Sequence, residues 1–303
     1  MRLPVVVGVD GSEGSLRALD WAAAEAARSG HPLRVVHASL WERYEGIRPA
    51  SDTEHPSEQV LAEHLVAAAQ ERAHRLGPGV AVAASVEPED PVAALVRESH
   101  EAAMVVLGSR GRGRIAGMLL GSVSLTLAGR SRCPVVVIPA RTSGTPPRSG
   151  RVVVGISDAA EPTAATVFAL AQAASRHGEL VAVRAWRSPA HQARAHPLIS
   201  GSPASAHHQN AEEHLEEVLT KLDRTGATDV TIHRLVVQGP VHHELLEAAE
   251  GAELLVVGAR RPGGWHGTHL GPVNHAMLHY APCPVAVVPD AYHRPEPEPN
   301  TPE

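Results

Sequence analysis

Through the first half of the chain, short valine-rich runs alternate with stretches whose apolar residues return every three or four positions. The runs cover residues 3–9, 33–39, 80–86, 104–108 and 135–139. Nearly continuous apolar strands of this kind belong to parallel sheets buried on both faces. The intervals 15–29, 57–76, 91–101 and 122–131 read as helices. Leu16, Leu19, Ala23 and Ala26 make an apolar stripe on the first. Pro91 opens the third, where its missing N–H would have had no partner in any case. Strands and helices in strict alternation, joined by right-handed crossovers, predict an α/β fold with an open, doubly wound parallel sheet of five strands.

The order of landmarks then recurs. PVVVG ending at Gly8 returns as RVVVG ending at Gly155, and Asp90-Pro91 as Gly239-Pro240. MVVLGSR from Met104 returns as LLVVGAR from Leu254, and CPVVVIP from Cys133 as CPVAVVP from Cys283. The offset is 147 between Gly8 and Gly155 and 150 between Cys133 and Cys283. Agreement at both ends of each half marks a duplication, so two tandem five-stranded units are expected. Residues 1–140 form the first, 141–150 a linker rich in Pro, Gly, Ser and Thr, and 151–289 the second. Residues 290–303 carry prolines and acids with little to bury, and are expected to be a disordered tail.

A length of 303 residues accommodates two domains, since a compact domain takes roughly 100 to 150. With 43% apolar, 20% charged and only 3% aromatic residues, the core must be filled by small aliphatic side chains, which suits close helix-on-sheet layers. A net charge of −6 leaves no broad positive surface for nucleic acid. No apolar run approaches the roughly 20 residues of a membrane span. The N-terminal run is too short for a secretory signal, so a cytoplasmic protein is expected. Two cysteines in separate halves then point to buried structural thiols and no disulfide framework.

Ligands of such sheets bind beyond the carboxyl ends of the strands, where strand order reverses. After the fourth run comes Gly108-Ser109-Arg110-Gly111-Arg112-Gly113-Arg114, and nine residues past Gly111 the pair Gly121-Ser122 opens a helix. Glycines let backbone amides approach a polyanion where a Cβ would collide. The helix start adds unpaired N–H groups and the positive end of its dipole, and three arginines stand beside it. A phosphate-bearing ligand fits this pattern; a solvated basic turn is the plainer alternative. Neither a Walker loop nor a dinucleotide fingerprint after the first strand is present.

Gly108-x-x-Gly111, nine residues, Gly121-Ser122, together with Gly8-Val9-Asp10-Gly11-Ser12, resembles the ATP-binding branch of the universal stress protein family, in a tandem arrangement covering nearly the whole chain. The resemblance implies a Rossmann-like fold of the adenine nucleotide alpha hydrolase type. It implies that Gly108, Gly111, Gly121 and Ser122 cradle the phosphates of ATP, with an amide from Val123. By the same resemblance Asp10 approaches the ribose or a bound magnesium, and His37 with Ala38 borders the adenine. Read from the residues alone, Asp10 could instead cap the first helix, as Ser12 could, and His37 could be a neighbour of the core. The family implies a nucleotide-dependent regulator of stress survival or growth, with a protein partner and either a homodimer or an intrachain pair of domains. A slow ATP hydrolase and a pairing scaffold built on the last strands are the alternatives.

The second half departs from this pattern. Arg261 stands where Gly111 does, Gly271-Pro272 replaces Gly121-Ser122, and Ser157 falls opposite Asp10 with Asp158 beside it. Weaker or absent ATP binding is expected there. Of the 20 histidines, the pairs His266 and His269, His275 and His279, and His242 and His243 invite a metal, but none has a convincing set of co-ligands and no metal site is assigned.

Overall fold

The computed structural model describes residues 2–39, 58–111, 120–140, 150–187, 203–259 and 270–292. The first half runs β1 (Val5–Gly8), α1 (Glu13–Ser29), β2 (Leu33–Ala38), α2 (Glu58–Leu76), β3 (Val82–Glu87), α3 (Pro91–Glu98), β4 (Met104–Gly108), α4 (Ser122–Arg130) and β5 (Val135–Ile138). The second runs β6 (Val152–Gly155), α5 (Ala164–Ser175), β7 (Glu179–Trp186), α6 (Pro203–Lys221), β8 (Thr231–Gln238), α7 (Val241–Ala248), β9 (Leu254–Ala259), α8 (Pro272–Tyr280) and β10 (Val285–Pro289).

The strands form one ten-stranded sheet in the order β3-β2-β1-β4-β5-β10-β9-β6-β7-β8. Each half is the expected five-stranded parallel sheet, and the two are welded edge to edge by the antiparallel pair β5–β10. That pairing is symmetric about Val136 and Ala286, with Val137 opposite Val285 and Val135 opposite Val287. Closing the two edges against each other leaves neither half with an open strand at the joint.

The valine runs are buried because helices cover both faces. Val5, Val6, Val7, Val105 and Val106 have no exposed surface. Alternate residues feed two apolar layers that run through both halves: Val136 and Ala286 enter one, Val135 and Val285 the other. On α1 the buried stripe is broader than the sequence suggested, with Ala18 and Ala22 beside Leu19, Ala23 and Ala26, while Leu16 is half-exposed.

Helix α1 starts two residues earlier than expected because Ser12, not Asp10, caps it, its hydroxyl accepting from the Ser15 amide. Helix α3 stops three residues early, where Ser99 turns its hydroxyl back onto the Val96 carbonyl. Asp90 caps α3 through the amides of Val92 and Ala93, and Pro91 takes its first turn as expected. Burial pushes the thiols of Cys133 and Cys283 up to about 12, and neither forms a disulfide. Of the expected tail, Asp290 to Tyr292 is described, and the Tyr292 ring meets Phe168 edge-on at 6.1 Å. No helix among the described residues is long and apolar enough to cross a membrane.

Candidate functional site

In the first half the strand order reverses between β1 and β4, which is where a sheet of this kind has its ligand crevice, beyond the carboxyl ends of these strands. The turn after β1 forms one wall. The Asp10 carboxylate accepts from the Ser12 amide at 3.0 Å, and the Asp10 amide donates to the Ser15 hydroxyl at 3.3 Å. Asp10 thus shapes the turn, and Ser12 is left to cap the helix.

The opposite wall is the segment after β4. Ser109 is buried, its amide bonded to the Ile138 carbonyl at 2.8 Å and its carbonyl accepting from the Gly121 amide at 2.7 Å. The Ser124 hydroxyl donates to the Gly108 carbonyl at 2.8 Å. These bonds bring both ends of the loop together across the described residues. Gly121 is the N-cap of α4 and offers no side-chain cap, and the first intrahelical bond runs from the Leu125 amide to the Gly121 carbonyl. The amides of Ser122, Val123 and Ser124 therefore precede the helix's own ladder, at the positive end of its dipole.

The two walls touch through glycine. A Cβ on Gly108 would come within 2.6 Å of the backbone carbon and oxygen of Gly14. One on Gly111 would fall on the Asp10 carboxylate. Glycine at both places is what lets the loop after β4 lie against the turn after β1. His37 Nδ1 sits 2.7 Å from the Val9 carbonyl, which can only accept, so Nδ1 carries a proton and donates it. His37 and Ala38 end β2, beside this turn. Arg110 is exposed; Arg112, Gly113 and Arg114 lie outside the described residues. Gly14 and Ser124 were missed from the sequence: the expected helix began at residue 15, and only the observed start at Glu13 places Gly14 in its first turn.

The universal stress protein family matches the chain twice, over residues 1–139 and 149–289. The chain belongs to this family. It is 38% identical to universal stress protein Rv2005c of Mycobacterium tuberculosis over 301 residues, 93% of this chain and 96% of that protein. The crystal structure of a universal stress protein from Archaeoglobus fulgidus, 19% identical, shares the fold over 95% of this chain and 98% of its own, with a TM-score of 0.63. A shorter universal stress protein, solved in complex with cAMP, is 31% identical and matches 45% of this chain and 96% of its own, with a TM-score of 0.34.

The second repeat of this universal stress protein keeps the crevice and changes its walls. A cavity of about 960 Å³ opens among Ser157, Thr163, Arg184, Leu245, Asn274 and Tyr292. Ser157 holds the turn that Asp10 holds in the first repeat, accepting from the Ala159 amide at 3.3 Å. Arg184 stands where His37 does. It reaches the Ile156 carbonyl at 3.2 Å and pairs with Asp158 at 2.6 Å, so Asp158 does not stand in for Asp10. Asn274 repeats the Ser124 bond, donating to the Gly258 carbonyl at 3.0 Å. Pro272 removes one amide from the first turn of α8, and Gly258 is no longer pressed on backbone, since a Cβ added there would meet only the Ala165 methyl, at 3.7 Å. Arg261 lies outside the described residues.

Of the histidine pairs, His275 and His279 stack at 5.6 Å, and His279 is held below its ordinary value by burial and by its neighbour. His243 lies near Glu244 and Glu247 on the surface of α7, with potential ligand atoms within 4.8 Å of one another. His266 and His269 lie outside the described residues.

Proposed function

We propose that the first repeat binds ATP, with or without magnesium, and that the protein is a nucleotide-dependent regulator of stress response or growth in the cytoplasm. One observation carries this reading: the uncapped amides of Ser122 to Ser124 open the helix that follows Gly108–Gly111, and the closeness of that segment to Asp10 and Gly14 depends on glycine. That donor set suits phosphate oxygens, and the Asp10 carboxylate suits a ribose hydroxyl or the magnesium of the nucleotide. Bound polyphosphate would knit the loop to the helix and change the surface shown to a protein partner, which requires different affinities for two states of the loop. Purified protein, extracted with acid, is expected to release an adenine nucleotide.

The second repeat is the weaker ATP site. Pro272 removes an amide, and the Arg184–Asp158 pair occupies the place where His37 borders the first crevice. A slow ATP hydrolase is the second reading, favoured by the Asp10 carboxylate, which lies against Gly111 of the loop. Single-turnover phosphate release compared between native protein and Asp10→Ala separates the two. A regulator gives no measurable difference, whereas a hydrolase loses its phosphate burst.

A further inference from the structure

The weld between the halves carries charges that are not the same on its two sides. Glu25 on α1 is fully buried, and Arg176, capping α5 of the other half, has 2% of its side chain exposed. Arg176 Nη2 donates to Glu25 Oε2 at 2.8 Å across 151 residues of sequence. Arg28 reaches the same oxygen at 2.6 Å. Arg176 also donates to the Gln172 side chain at 2.6 Å, lies 3.5 Å from Glu253 and stands over the Trp21 ring at 5.8 Å.

Superposing the repeats shows what this pair does. Leu33 and Leu180 both pair with the opening residue of the first strand of their half, which sets an offset of 147. The two helices leave through left-handed residues at that same offset, Gly30 at φ 67° and His177 at φ 50°. The offset places Gln172 in the position of Glu25, and Ser29 in the position of Arg176. Because β5 and β10 pair symmetrically, the halves are related by an approximate two-fold axis. Two first halves joined in this way would set Glu25 opposite Ser29 at each end, two buried carboxylates with no guanidinium from across. Two second halves would set Arg176 opposite Gln172. Only unlike halves bring carboxylate and guanidinium together, and a buried charge stripped of its partner is strongly penalised.

We propose that Glu25 and Arg176 are a partner-selecting pair, admitting a first half to a second half and rejecting like with like. The β5 edge of a chain is then offered to a β10 edge, its own or a second copy's, and every first-repeat crevice is joined to a second-repeat one. Charge that repels the wrong partner is a recognised route to specificity.

The test places a protease site between residues 140 and 150 of the full chain, cuts the purified protein, and weighs the intact complexes by native mass spectrometry through a dilution series and after a denaturant pulse. Native protein is expected to give mixed complexes alone. E25Q or R176Q singly should weaken the mixed complex by roughly 100-fold, each leaving a buried charge without its partner across the joint. The double variant E25Q/R176Q should recover most of that affinity while yielding like-with-like complexes as well. Circular dichroism of the uncut variants checks their folding, and the double variant distinguishes a lost charge from a lost fold. Additive weakening in the double variant, like-with-like complexes from native protein, or their absence from the double variant would each overturn the proposal.

Discussion

Replacing Gly108 with alanine should damage the protein, while the same change at Gly258, its counterpart in the second repeat, should not. The new Cβ at Gly108 would lie 2.6 Å from the backbone carbon and oxygen of Gly14. Neither atom can swing aside as a side chain can, so either α1 or the loop after β4 must move. Forced overpacking of this kind costs about 1–3 kcal/mol, and at roughly 2 °C per kcal/mol for a chain of this size the melting midpoint should drop by about 2–6 °C. At Gly258 the methyl would meet Ala165 at 3.7 Å, an ordinary contact. With no strain, the loss of glycine's unfolded-state freedom makes that variant neutral or slightly more stable, by up to about 1 kcal/mol. Scanning calorimetry of both full-length variants checks this, together with an ATP titration in which only Gly108→Ala is weakened. Equal midpoints would refute the claim that the two walls of the first crevice are held together by backbone contact at Gly14.

Gly121→Ala should cost the fold no more than about 1 kcal/mol, for the poorer N-cap, because its Cβ would lie 3.5 Å from the Ser109 carbonyl, yet weaken ATP binding by crowding the amides of α4; calorimetric titration beside a thermal scan reads both. Cys133 and Cys283, with thiols pushed up to about 12 by burial, stay protonated through pH 8. They should resist a maleimide in folded protein and react in full once denatured, which a thiol assay with and without denaturant shows. Asp10→Ala should loosen the turn after β1 through the lost bond to the Ser12 amide, costing about 1 kcal/mol by denaturant titration, and reduce ATP affinity.

The fold was legible because each level of the sequence agreed. Runs such as 104–108 are too apolar for a half-exposed strand, and the repeat of CPVVVIP as CPVAVVP placed a final strand in each half. Helix ends were less legible, because capping hydroxyls act locally: Ser12 and Ser99 moved two boundaries without altering any apolar pattern. The glycine spacing of the loop after β4 and the Asp10 turn stood out in the sequence. The contact of Gly108 with Gly14 did not, since 94 positions separate them and glycine leaves no pattern on a helix face. Nor could Glu25 and Arg176 be matched by reading, for 151 positions separate them and they meet across the halves only because the β5–β10 weld joins the two sheets. Asp158 was visible beside Ser157 in the sequence, but its capture by Arg184 required the folded turn.

The measurement that bears most directly on the function is an isothermal titration of the full chain with ATP, with and without magnesium. One tight site per chain, abolished or severely weakened by Gly121→Ala and followed at most by a weaker second, is the expected result. A native chain that produces no binding heat under either condition would contradict the assignment of the loop after β4 as a nucleotide cradle.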